Sequence, residues 1–226
     1  MKKYINILKN TPFFHGKTEE EIEELLQGYA FSIEHYKKNQ LIFLMGEPAN
    51  DILLIVKGCL LAKRYLATGK TLTISHKSQG EMYGESALSL RQKKWSCSIL
   101  AAEPSVVLRI NILNYLRLLE KDKTLLLNYI SVLSDKILDL EFKSELLSYR
   151  GIQEKVAYYL LYVTPKEGSK VITLPFTYTQ WAQYLSVSRP TLARNLTEME
   201  QKNLLRRKGR KITILNREAL ELLLEG

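Results

Sequence analysis

The side chains with the clearest chemistry lie together near the C-terminal end. Arg189 and Arg194 belong to one short run, Ser188-Arg189-Pro190-Thr191-Leu192-Ala193-Arg194. Each guanidinium is a planar fork able to donate two parallel hydrogen bonds to a guanine edge or a phosphate. Arg206, Arg207, Lys208, Arg210 and Lys211 follow around Gly209, a tip basic enough to hold phosphates without reading bases. The chemistry on offer is recognition of a polyanion. Groups for covalent chemistry are scarce: His15, His35 and His76 are scattered, and no Ser-His-Asp grouping, metal spacing or phosphate loop occurs. An enzyme is not expected.

Charge agrees with this reading. The chain of 226 residues carries 33 Lys plus Arg against 24 Asp plus Glu, a net charge of +9. From Arg150 onward there are 13 basic and 7 acidic residues, so a third of the chain holds most of the excess. A polyanion approached from that end is implied. A membrane surface would also accept positive charge. However, no apolar run is long enough to span a bilayer, and Met1-Lys2-Lys3-Tyr4 opens no signal-peptide or lipidation pattern. The expected location is the cytoplasm, with no membrane partner. Cys59 and Cys97 are the only cysteines, too few for a disulfide framework or a zinc site.

The basic residues need elements to present them. Thr177 and Gln180 form a capping box, and Trp181, Ala182 and Leu185 follow at helical spacing. Ser186 and Val187 make a turn, Ser188 caps a second helix, and Pro190 sits in its first turn, where a missing N–H costs nothing. Leu192, Leu196 and Met199 share one face and leave the arginines on others. Ile212-Thr213-Ile214 beyond the basic tip reads as a strand, making the tip a wing. The spacing also fits a helical hairpin with a solvated charged face. Two adjacent basic elements favour a helix-turn-helix.

Upstream, Thr18 to Glu21 is another capping box, opening a short helix behind Pro12-Phe13-Phe14. Short strands with glycine punctuation run from Ile33 to Ile110, including a hairpin turned at Ala67 to Lys70 and an extended run from Ser96 to Ala101. They predict a small antiparallel barrel or roll. Helix is expected from Ile112 to Tyr149, where Leu126, Ile130, Leu133, Ile137, Leu140, Ser144 and Leu147 alternate spacings of four and three. So narrow a seam predicts a parallel homodimer more than a helix packed on its own domain. Gly151 interrupts the pattern as a hinge. Another helix (Ile152 to Val163), a loop (Pro165 to Ser169), a strand (Val171 to Phe176) and, after the wing, a helix capped by Asn216 complete the chain. The fold class is α+β. The expected divisions are a sensing roll (1–111), a dimerisation helix and hinge (112–150) and a winged helix-turn-helix (151–226).

Val187 to Leu196, followed by Met199-Glu200 and Asn203-Leu204-Leu205, resembles the helix-turn-helix of the Crp/Fnr superfamily of bacterial transcription regulators. Ser186, Met199, Asn203 and Leu205 depart from the residues usual there. Pro190 stands where the cyclic-AMP-dependent member carries an acidic residue that reads a cytosine, so the resemblance implies a different operator. It implies base contacts by Arg189 and Arg194, and phosphate contacts by Ser188, Thr191, Arg206, Arg207, Lys208, Arg210 and Lys211. It also implies a palindromic double-stranded operator, a dimer along the seam helix and RNA polymerase as a partner.

The strand region is similar to the superfamily's cyclic-nucleotide-binding-type roll, through Gly46-Glu47, Gly58, Gly80, Gly84-Glu85 and Val106 to Ile110. Cyclic-nucleotide binders pair that glutamate with an arginine that takes the phosphate. Here Trp95, just before Ser96, stands at that position, and an indole cannot neutralise a phosphate. A cyclic nucleotide is therefore not the expected effector. An iron–sulfur cluster, which needs four thiolates, is excluded within one chain. His15, His35, His76, Cys59 and Cys97 are formal haem-ligand candidates without supporting spacing. Met82, Tyr83, Gly84, Glu85, Trp95, Ser96 and Cys97 could line a pocket for an unidentified small molecule, or be core. A ligand-independent repressor, with the roll as a scaffold, is the alternative.

Overall fold

The computed structural model describes residues 2–66, 68–89, 91, 93–164 and 170–225. The chain divides into two compact units, 1–134 and 135–226.

The first unit begins with two helices, α1 (Ile5–Lys9) and α2 (Glu19–Gly28). Thr18 caps α2 as expected: its hydroxyl accepts from Glu21 N, and Glu21 reaches back to Thr18 N. Among the described residues eight strands follow: β1 (Phe31–Tyr36), β2 (Leu41–Phe43), β3 (Asp51–Lys57), β4 (Cys59–Tyr65), β5 (Thr71–Ser78), β6 (Met82–Tyr83), β7 (Ser98–Ala101) and β8 (Ser105–Asn111). They form two antiparallel sheets, ordered β1-β8-β3-β6 and β2-β7-β4-β5. β7 is shorter than the extended run read from the sequence, and Ala67 of the hairpin turn lies outside the described residues.

The period-two alternation of a strand separates two cores. On β3, Ile52, Leu54 and Val56 pack with Phe13, Phe14 and Tyr115, whereas Leu53 and Ile55 pack with Leu60, Val107 and Trp95. The first sheet is thus covered on one face by the N-terminal arm and on the other by the roll's interior. Gly84 lies against the backbone at the start of β3. Its φ is +104°, and a Cβ there would lie 2.3 Å from the Asp51 carbonyl oxygen, so only glycine fits.

The run read as one helix from Ile112 to Tyr149 is two. α3 (Ile112–Lys121) ends at Asp122, whose backbone is extended, and α4 (Lys123–Ser148) starts beyond it. Asp122 Oδ1 accepts from Leu125 N at 3.0 Å, and Oδ2 lies 2.6 Å from Lys17 Nζ. A half-buried carboxylate with a cation and a helix N-terminus as partners makes the break stable. α4 then runs through the division between the units. Leu125 and Tyr129 belong to the first core, Phe142 and Leu146 to the second.

The second unit contains α5 (Ile152–Val163), β9 (Val171–Thr173), α6 (Tyr178–Tyr184), α7 (Arg189–Gln201), β10 (Leu205–Lys208), β11 (Lys211–Ile214) and α8 (Arg217–Leu222). The strands form one antiparallel sheet, β10-β11-β9. β9 stops at Thr173 rather than Phe176, and the loop at Pro165 to Ser169 lies outside the described residues. Trp181, Leu185, Leu192, Leu196, Met199, Ile212 and Leu220 fill the core. Truncating any of these large side chains to alanine is expected to cost about 2–5 kcal/mol.

Candidate nucleic-acid interface

α6 and α7 meet at a tight turn. Thr177 completes its capping box with Gln180, and Val187 N donates to Ala182 O at 2.9 Å. Ser186 takes φ +57°, the left-handed conformation that explains why glycine is common at this point of the motif. Asn203, at the exit of α7, does the same with φ +54°. Ser188 Oγ accepts from Thr191 N at 3.2 Å and lies 2.6 Å from Thr191 Oγ1. Both hydroxyls therefore stand at the helix N-terminus, where backbone donors and the helix dipole favour an anion.

With Leu192, Leu196 and Met199 buried, Arg189, Pro190, Ala193, Arg194, Thr197 and Gln201 are exposed. The wing follows directly: Arg206, Lys208, Arg210 and Lys211 are exposed, and Gly209 (φ +60°) makes the tip between β10 and β11. Tyr178 Oη donates to Gly209 O at 2.9 Å, fastening the tip to the start of α6. Arg207 behaves differently from its neighbours. Its guanidinium turns back to α7, with Nη2 2.5 Å from Glu200 Oε2 and 3.1 Å from Thr197 Oγ1. Neither was legible in the sequence: the Tyr178 strut joins residues far apart in the chain, and the Arg207 bridge forms only because the chain turns back on α7 between Glu200 and the wing.

Of the seven residues singled out in the roll, Tyr83, Trp95 and Cys97 share one buried cluster, and the others do not join them there. Met82 and Tyr83 are neighbours on β6 and so face opposite ways: Met82 enters the core beneath the N-terminal arm, and Tyr83 enters the interior with Trp95 and Cys97. Trp95 is 5% exposed and stacks on Phe43 (centroids 4.5 Å apart, 17° between planes). Phe43 also meets Arg109, whose guanidinium carbon is 5.1 Å from the ring centroid. Arg109 is held by Asp51 at 2.7 Å and Glu34 at 3.3 Å. Glu85 lies 3.5 Å from Lys77 Nζ, which also bonds Met82 O and sits over the Tyr83 ring. Arg91, Lys93 and Lys94 are exposed. These residues do not fit a cyclic phosphate: the interior position belongs to an indole, and the guanidinium of Arg109 is engaged by two carboxylates.

Of the candidate haem ligands, His35 bonds Tyr4 Oη at 3.1 Å and His76 lies 3.1 Å from the Cys59 sulfur. Burial raises the Cys59 thiol pKa, which works against a reactive thiolate. Among the described residues no group of three or more His, Cys, Asp or Glu is arranged to hold a metal ion. On α4, Leu126, Ile130, Ile137, Leu140 and Leu147 are exposed, and Leu133 is half-buried against the first core. Gly151 caps α5, its N–H donating to Glu154 Oε2 at 3.1 Å.

An antiparallel roll followed by a winged helix-turn-helix defines a DNA-binding regulator. Residues 33–122 match the cyclic nucleotide-binding domain family, and residues 154–223 match the Crp-like helix-turn-helix domain family. The chain is 24% identical over 193 residues to flp, a probable transcriptional regulator of Lacticaseibacillus casei, covering 85% of this chain and 87% of that protein. It is 25% identical over 199 residues to the cyclic AMP receptor protein of Thermus thermophilus, covering 88% and 90%. The solved catabolite activator protein of Thermus thermophilus matches with a TM-score of 0.53 at 24% identity, over 96% of this chain and 99% of that one. At that identity the structural match concerns the fold.

The chain belongs to the Crp/Fnr superfamily, as the sequence motifs implied. It is a DNA-binding transcription regulator and not an enzyme. No helix among the described residues is long and apolar enough to cross a membrane.

Proposed function

We propose that the protein works as a homodimer that places two copies of α7 in successive major grooves of a palindromic operator. Arg189 and Arg194 read guanine edges, Ser188 and Thr191 hold phosphates at the helix N-terminus, and Arg206, Lys208, Arg210 and Lys211 supply salt-sensitive contacts from the wing. Arg207 acts through Glu200 as a positioning residue. The observation carrying this reading is the division of α7 into a buried Leu192-Leu196-Met199 face and an exposed face with both arginines, beside an exposed basic tip. Two-fold pairing along the exposed apolar residues of α4 would set the recognition helices about 34 Å apart.

The effector we propose is a small molecule other than a cyclic nucleotide, acting through a bias at Gly151, and RNA polymerase is the partner on the promoter. The filled interior around Trp95, Tyr83 and Cys97 favours a second reading, in which the roll is a scaffold and the bare dimer represses. The test is selection of duplexes from a random pool by the purified full-length protein, without and with cell metabolite extract. Enrichment of a palindrome supports operator reading, and enrichment without extract supports the scaffold variant. Retention of duplexes without any sequence preference would overturn base reading by Arg189 and Arg194.

A further inference from the structure

Pro190, Ala193 and Thr197 lie on the same exposed face of α7 as Arg194. Pro190 and Ala193 present only carbon. Thr197 carries a hydroxyl, yet that group is committed within the protein. Its proton goes to Ala193 O at 3.0 Å, and its oxygen accepts from Arg207 Nη2 at 3.1 Å. What remains for a base is its methyl group. The Arg207–Glu200 bridge thus does more than fix the wing: it turns a potentially polar residue into an apolar one.

In the major groove, thymine alone among the four bases presents a methyl group, at C5, and apolar side chains contact it. A carboxylate at position 190 would accept from a cytosine amino group, whereas a proline ring offers that donor no acceptor, leaves it unpaired and accommodates a methyl. We infer that Pro190, Ala193 and Thr197 read thymine methyl groups in each half-site, between and beyond the guanines taken by Arg189 and Arg194. These three residues, and not the arginines alone, set operator specificity. The inference rests on the proposed insertion of α7 into the major groove.

Replacing one thymine of the selected operator by deoxyuridine removes the methyl and nothing else. With full-length protein, affinity measured by fluorescence anisotropy should fall about fourfold for each half-site methyl that is read. Thr197→Ser keeps the hydroxyl and both its bonds, and should lose uracil sensitivity at one thymine while keeping it at the others. Cytosine in place of the thymine facing Pro190 should weaken binding, and 5-methylcytosine at that position should bind more tightly than cytosine. Unchanged affinity for every uracil-substituted half-site would overturn methyl reading while leaving groove insertion intact. Failure to retain any duplex would overturn groove insertion and this inference together.

Discussion

Arg207 and Glu200 are joined twice: the Arg207 backbone N–H donates to Oε1 at 2.7 Å, and its guanidinium donates to Oε2 at 2.5 Å. The first strand of the wing is thereby tied to the last turn of the recognition helix. Both side chains are partly exposed, so the link is expected to be worth about 1 kcal/mol rather than the several of a desolvated pair. A double-mutant cycle of Glu200→Gln and Arg207→Ala, followed by denaturant melting of the second unit, should return a coupling of about that size. Arg207 holds the Glu200 carboxyl below its ordinary pKa of 4.5. A depressed carboxyl contributes its stability above the unfolded pKa and loses it as pH falls through the folded value. Wild type and Glu200→Gln should therefore differ in melting temperature at neutral pH and converge in acid.

Base readers and phosphate holders separate by salt dependence. Arg194→Ala should cost about 1–3 kcal/mol on the selected operator and relax the preference at one base pair. Lys208→Ala should weaken all duplexes alike and reduce the slope of log affinity against log salt by about 0.9. Anisotropy titrations across a salt series distinguish the two outcomes.

Leu140 is 69% exposed and Ile137 56% exposed in the single chain. Large apolar side chains left in water along one helix call for a partner. Leu140→Glu and Ile137→Glu should leave helix content unchanged by circular dichroism and shift sedimentation from dimer to monomer. A wild-type chain that sediments as a monomer at all concentrations would sink the dimer.

Cyclic AMP at millimolar concentration should not raise the melting temperature, because a ligand stabilises only in proportion to its preference for the folded state. A clear rise would mean that the Trp95 side chain vacates the interior position and that a cation other than Arg109 meets the phosphate.

Gly84→Ala should destabilise the first unit by about 2 kcal/mol or more, since a left-handed φ and a backbone oxygen in contact with the new Cβ act together. Gly151→Ala should cost less. Its φ is −78°, and the added Cβ meets only the end of the Glu154 side chain, so the loss is that of a cap, about 1 kcal/mol. Denaturant midpoints compare them.

The sequence signals that succeeded were local. Thr18 with Glu21, Thr177 with Gln180, and Leu192, Leu196 and Met199 each act within four residues, and the backbone obeys them. The two-helix break at Asp122 was hidden because its stabilising partner, Lys17, lies in the N-terminal arm. Sequence leaves Trp95 as core or pocket, because the ring that stacks on it, Phe43, lies far upstream. Arg207 differs in kind: Glu200 is near in sequence, but the two meet only because the chain reverses between α7 and β10, and no periodicity carries that. Periodicity reports which face is apolar; it does not report which distant side chain will neutralise a charge.

The chain has only two tryptophans, and they fall one to each unit: Trp95 is buried in the first and Trp181 in the second. Neither indole N–H has a hydrogen-bond partner among the described residues. Both should therefore emit at the short-wavelength end of the tryptophan range while folded and move to the red on exposure to water. Trp95→Phe leaves a fluorophore that reports only on the DNA-binding half, and Trp181→Phe one that reports only on the roll. The molecule thus carries an intrinsic optical readout for each half, with which unfolding, DNA engagement and effector screening can be followed separately and without a label.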